Sequence, residues 1–266
     1  MISVIHPGVL LIAGGLLLPL LRGPVRSAAA LLVPFAALVL AWNTPDGAIW
    51  SAHLFGYEIV PFQADKLSRL FAIIFSLMAF GGALFSLNQT NRLELPAAFA
   101  YAGSAIGVAF AGDLLTVFAF WETMAIASTL VLWSAGTSAA YRASMRYVMI
   151  HLLGGTLLLM GVAGHVVQTH SLRFVAMQAD SVSHGLILAA FLINAGAPPL
   201  SAWLPDAYPE SSWSGMVFLS AFTTKTAVYV LLRGFPGTEL LVYAGLFMAM
   251  YGIIYALLEN DMRRIL

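Results

Sequence analysis

Three polar residues stand near the middle of long apolar runs: Glu122 within 114–134, Asn194 within 184–204 and Lys225 within 214–232. A charged group at the centre of a bilayer costs roughly 2.5–3.5 kcal/mol even on the lenient insertion scale, so two at one depth are expected to be partners. A carboxyl and an ammonium placed there can relay a proton. Thr223, Thr224 and Thr226 flank the lysine, and Thr123 and Ser128 lie near the glutamate, where hydroxyls can hold relay water. The structural alternative for the same pair is an ion pair that fixes helix register.

Asn194-Ala-Gly-Ala-Pro-Pro-Leu200 puts Gly196, Pro198 and Pro199 inside a hydrophobic run. Proline removes backbone hydrogen bonds, and broken helices at membrane depth persist where they border a polar cavity. The alternative is a helix end at Ala197 followed by a re-entrant loop. His151 and His165 are fourteen residues apart, about 21 Å along a helix and on nearly one face. That interval serves two stacked haems only if a second helix supplies an opposing pair. His170 and His184 repeat the interval, but Arg173 and Asp180 between them mark a loop. No haem, other cofactor or metal site is therefore expected. His151 either extends the relay toward the cytoplasm or is a histidine hydrogen-bonded between helices.

The elements that must position these groups follow from composition. Of 266 residues, 61% are apolar and 9% charged, against about 25% charged in a soluble domain. Twelve basic and twelve acidic residues leave no field for a nucleic acid, and with no cysteine there is no disulfide, thiolate ligand or cysteine nucleophile. A bilayer core needs about 20 apolar residues per helix. Nine runs qualify: 4–21, 26–42, 68–88, 95–112, 114–134, 147–169, 184–204, 214–232 and 240–258. The second is the weakest, being short and holding Pro34. The first is followed, not preceded, by basic residues (Arg22 and Arg26), unlike a cleavable signal. The runs are continuous rather than alternating, so the class is an all-α polytopic membrane protein, not a β-barrel.

Alternating the loops puts seven basic residues (Arg22, Arg26, Arg92, Arg142, Arg146, Arg263, Arg264) on one side and four (Lys66, Arg69, Arg173, Arg233) on the other. The N-terminus is then expected outside the cell (inner) membrane and the C-terminal end in the cytoplasm. Residues 43–67 begin with turn chemistry, and Ile49–Phe62 alternates as a short outward hairpin would. Gly103, Gly107 and Ala111 form a small-residue stripe suited to close helix packing.

Four segments together resemble one family. Gly112-Asp-Leu-Leu-Thr-Val-Phe-Ala-Phe-Trp-Glu-Thr-Met124 resembles the fifth-helix signature of antiporter-like membrane subunits: the D-type subunit of Mrp cation/proton antiporters and the proton-pumping subunits of respiratory complex I and membrane-bound hydrogenases. Pro199-Leu-Ser-Ala-Trp-Leu-Pro-Asp-Ala-Tyr208 looks like that family's broken seventh helix and following loop. Ser220-Ala-Phe-Thr-Thr-Lys-Thr-Ala-Val-Tyr229 resembles its eighth helix, and Ala64-Asp-Lys-Leu-Ser-Arg-Leu-Phe71 the start of its third. With Asp261-Met-Arg-Arg-Ile-Leu266, which resembles the start of the tenth helix, the motifs run in the family's order from 64 to 264, with the Mrp D-type branch the nearest in pattern.

The resemblance implies that Glu122 is the fifth-helix glutamate and Lys225 the eighth-helix lysine that passes protons between half-channels. The seventh-helix lysine position is Asn194, which cannot ionise, and a customary histidine is Ser201. It also implies three parts: a three-helix segment (1–91), a complete five-helix repeat (92–234) and the first helix of a second repeat (235–266), the rest coming from a partner chain in a multi-subunit assembly. The expected function is a cytoplasm-facing proton half-channel in a monovalent cation/proton antiporter, a transporter subunit rather than a catalyst by itself. The alternative is a non-transporting scaffold or assembly subunit.

Overall fold

The computed structural model describes residues 5–89 and 91–265. The helices are α1 (Pro7–Leu17), α2 (Gly23–Asn43), α3 (Lys66–Phe85), α4 (Glu94–Phe110), α5 (Leu114–Trp133), α6 (Ser138–Thr169), α7 (Val182–Ala195), α8 (Trp203–Ala207), α9 (Trp213–Ala221), α10 (Thr223–Gly234), α11 (Glu239–Leu258) and α12 (Met262–Ile265). Every apolar run carries helix. Six stretches among the described residues are long and apolar enough to cross a bilayer, with α9 and α10 taken together as Trp213–Gly234. Pro7–Leu20, Glu94–Phe110 and Val182–Ala195 are apolar but shorter.

Three boundaries differ from expectation, each for a local reason. The sixth helix begins at Ser138 rather than 147, because the Thr137 side chain caps it by accepting from Ala140 N–H at 3.0 Å. The seventh run does not reach 204 as one helix. Gly196 takes the left-handed conformation (φ 75°), which ends α7 two residues before Pro198. The eighth run is not continuous either: Phe222, at φ −115° and ψ −63°, separates α9 from α10.

Helix α4 is the axis of the bundle. All its residues but Ala100 are buried, as expected of a helix apolar on every face. The small-residue stripe performs the packing expected of it. A Cβ on Gly103 would lie 3.0 Å from the backbone nitrogen of Ile12 in α1, and one on Gly107 would overlap the Phe120 ring of α5.

The hairpin pairs β1 (Gly47–Leu54) antiparallel with β2 (Tyr57–Ala64). Its two-residue turn, Phe55-Gly56, has positive φ at both positions, the geometry that matches the twist of the flanking strands. Strand β2 is fastened to the α4–α5 junction. Asp113 caps α5 through Thr116 N–H (2.7 Å) and accepts from Val60 N–H (2.8 Å), while Gly112 N–H donates to Val60 O (2.9 Å). On its other side, Gly112 O accepts from Phe174 N–H and Leu114 N–H donates to Leu172 O. This Gly-Asp step therefore locks the start of α5, and with it the height of Glu122.

Candidate functional site

Glu122 projects from α5 toward α6 and is half-buried. Asn194, in the last turn of α7, is fully buried. Both meet α6 at adjacent glycines. A Cβ on Gly155 would overlap Glu122 Oε1, and a Cβ on Gly154 would come within 2.8 Å of Asn194 Nδ2. The asparagine donates to Ala190 O one turn back (3.2 Å). Glu122 Oε1 and Asn194 Oδ1 are buried without hydrogen-bond partners among the described residues. Buried polar atoms are nearly always paired, so two open acceptors around one turn of α6 mark a place built to receive a donor.

The break after Asn194 exposes carbonyls that need partners. Leu192 O accepts from Ala197 N–H (3.0 Å), and Ile193 O accepts from Gly196 N–H (3.1 Å) and the Trp203 indole (3.2 Å). Trp203 thus folds α8 back under α7. Its ring meets His151 edge-on at 4.8 Å, and His151 in turn stacks on Tyr147 at 3.9 Å. His151 is buried, with Nδ1 directed to Tyr147 O (2.9 Å) and Nε2 unpartnered among the described residues.

Lys225 lies in the first turn of α10, just past the break at Phe222. Its Nζ donates to Ser220 O (2.7 Å) and Thr224 Oγ1 (3.2 Å). It borders a cleft of about 570 Å³ with Gly196, Ser201, Tyr251 and Arg264. The expected direct pairing does not occur: no ion pair among the described residues contains Glu122 or Lys225. Glu122 instead shares its turn of α6 with Asn194.

Between these groups runs a hydroxyl network that joins Thr223 and Ser128, both named from the sequence, through two tyrosines that were not. Tyr101 OH lies 2.5 Å from Thr223 Oγ1, which is 3.4 Å from Tyr147 OH, which donates to Ser128 Oγ (3.0 Å). It ties α4, α10, α6 and α5 together, and Tyr208 OH is buried nearby without a partner among the described residues. The signal available in sequence was Tyr208 at the end of a quoted segment, Tyr147 one turn before His151 and Tyr101 just before the small-residue stripe. The Gly154-Gly155 pair was likewise visible, but its role depends on what faces it.

A second polar group lies farther along α6. His165 Nδ1 is 3.0 Å from His184 Nε2, and His184 Nδ1 faces Gln178 O (2.8 Å) and Asp180 Oδ1 (3.1 Å). The buried side chains of Leu158, Val162, Ile187 and Phe191 occupy α6 and α7 between this chain and the Glu122–Asn194 level. His170 is the left-handed cap of α6 and is exposed.

Residues 111–266, more than half of the sequence, match the family described as NADH:quinone oxidoreductase/Mrp antiporter, transmembrane. The chain belongs to that family. The matched part holds Glu122, His151, Asn194 and Lys225, whereas Tyr101 precedes it. Among relatives in the NADH:quinone oxidoreductase/Mrp antiporter family, the D-type subunit of the Na(+)/H(+) antiporter of Alkalihalophilus pseudofirmus is 26% identical over 253 residues, covering 85% of this chain and 48% of the relative. NADH-quinone oxidoreductase subunit 13 of Thermus thermophilus is 28% identical over 256 residues, covering 86% and 53%. A chain of respiratory complex I from Thermus thermophilus has the same fold, with a TM-score of 0.84 at 24% identity over 98% of this chain and 61% of that one. The chain spans about half the length of these curated relatives. The family resemblance read from the four motifs is therefore sound, and the protein is a multi-pass membrane protein.

Proposed function

We propose that this chain is a membrane subunit of a monovalent cation/proton antiporter of the Mrp type, in which α4 to α10 form a proton half-channel open to the cytoplasm. In this reading the nine apolar runs all cross the bilayer, with the N-terminus outside. The observation that carries it is the pair of open buried acceptors, Glu122 Oε1 and Asn194 Oδ1, set against Gly155 and Gly154 beside a helix that ends at Ala195, inside an apolar run. A carboxyl there can hold a proton, and polar atoms of this kind recruit water. Lys225, in a cleft at a second helix break, is the group that would accept the proton next. The relatives named for Na(+)/H(+) antiport support this class of cargo.

Helix α11 supports the partner side of the proposal. No residue in it is buried, and Leu246, Phe247, Met250 and Ile253 are exposed on it. The further helices of an antiporter-like unit, and neighbouring subunits, would cover this surface.

Glu122→Gln tests the proposal in the assembled complex. Gln keeps the shape but cannot carry a proton, so cation-dependent proton movement in vesicles should fall to background with assembly intact. Unchanged exchange would favour the scaffold reading, which has its own support in Asn194, a residue unable to ionise where the family pattern has lysine.

A further inference from the structure

The break between α9 and α10 is filled by a side chain from another helix. In a continuous helix Thr223 N–H would donate to Leu219 O and Thr224 N–H to Ser220 O. Neither bond forms, and the backbone ladder resumes with Thr226 N–H to Phe222 O at 2.8 Å. Thr223 N–H donates instead to the hydroxyl of Tyr101 (2.8 Å), and that hydroxyl lies 3.4 Å from the orphaned Leu219 O. Tyr101, fully buried on α4, thus inserts one oxygen between the two backbone groups that would otherwise bond each other. The Phe222 ring is wedged beside it, 5.1 Å from the Tyr101 ring and 5.7 Å from that of Phe75.

The break has a consequence for the lysine. Ser220 O, released by the missing backbone bond, is the acceptor that holds Lys225 Nζ at 2.7 Å. If the helix closed, Ser220 O would turn along the helix axis toward Thr224 N–H, and the ammonium would be left with no more than a shared lone pair from a displaced backbone.

We propose that Tyr101 is a positioning residue for Lys225: its hydroxyl holds the helix open at Phe222 and so keeps the Ser220 carbonyl available to the lysine ammonium. The geometry stands on its own, while its consequence for transport rests on the proton-carrying role proposed above for Lys225. A buried donor left unpaired is costly enough that the chain will rewind if the hydroxyl is removed.

The test is the structure of the Tyr101→Phe variant in its assembled complex, together with its exchange rate in vesicles. Removal of the hydroxyl should join α9 and α10 into one helix, move Lys225 Nζ off Ser220 O, and slow exchange about tenfold, the order expected for losing one hydrogen bond to a charged group. The double variant Tyr101→Phe/Thr223→Pro has no amide to satisfy and cannot rewind at that point. It should restore the break and the Lys225–Ser220 contact; because Thr223 Oγ1 also belongs to the hydroxyl network, the structure rather than the rate of this variant is the readout. A break that survives Tyr101→Phe with Lys225 still on Ser220 O overturns the proposal. So does a Tyr101→Phe chain that fails to accumulate and is not rescued by the proline, since the hydroxyl would then serve more than this one amide. Failure of the half-channel reading is separate: it would appear as unchanged exchange in Glu122→Gln and Lys225→Ala, whatever the helix does.

Discussion

Gly155 and Glu122 face each other so closely that no Cβ fits between α6 and the carboxyl oxygen. The glycine is therefore the floor of the site, and it fixes how far the carboxylate reaches toward α6. Gly155→Ala should displace Glu122 and lower exchange roughly tenfold or more, while the overpacking cost of roughly 1–3 kcal/mol is reduced by the freedom of the Glu122 side chain to swing away and by the better helix propensity of alanine. Exchange in vesicles and thermal unfolding of the same preparation read the two effects. An unaffected rate would show that the position of the carboxylate does not matter.

Asn194 offers a test of the shared turn. Asn194→Lys should be tolerated, because Glu122 lies across the same glycine pair and can become its counter-ion. Asn194→Lys/Glu122→Gln leaves the ammonium buried without that partner and should be about 2–3 kcal/mol less stable than the single variant. Equal stability of the two chains would mean that the positions do not communicate.

The histidine pair predicts a coupling far from the relay. One ring must donate and the other accept across the 3.0 Å separating His165 Nδ1 from His184 Nε2. A double-alanine cycle at these positions should give a coupling of about 1 kcal/mol in thermal unfolding. Additive losses would show that the two rings pack without exchanging a hydrogen bond.

Asp65 carries a pH-dependent contribution at the hairpin end of α3. Burial opposes ionisation, but Ser68 N–H, which donates at 2.8 Å, and the Arg233 guanidinium at 2.6 Å hold the carboxyl below its ordinary value of 3.8. A depressed folded-state value means that the stabilisation is complete above the unfolded value and fades as pH falls through the folded one. Asp65→Asn should cost about 1 kcal/mol at neutral pH, because the cap is kept and a half-exposed ion pair is lost. The difference should shrink below pH 3.8. A cost independent of pH would assign the effect to packing.

Orientation can be read with single cysteines, since the chain has none. Labels at Ser27 and Ser181 should react from the cytoplasm and from outside, respectively. The reverse pattern would overturn the orientation and turn the proposed half-channel to the other face.

The sequence by itself determined the membrane class, the helical character of each apolar run, the hairpin, the break after Asn194 and the family. These are local or compositional properties. Apolar run length is set by bilayer thickness, Gly56 and Gly196 adopt backbone conformations few other residues tolerate, and Pro198 and Pro199 cannot continue a helix. Only the tertiary structure decided that Glu122 shares a turn of α6 with Asn194 rather than pairing with Lys225, that His165 bonds His184, and that the eighth run is broken at Phe222. No proline or glycine marks that last break, because its cause is the Tyr101 hydroxyl, 122 residues away in sequence. A helix interior bonds to itself by default, so only a group brought in from a packed neighbour can hold it open, and which neighbour that is depends on how α4 sits against α9 and α10.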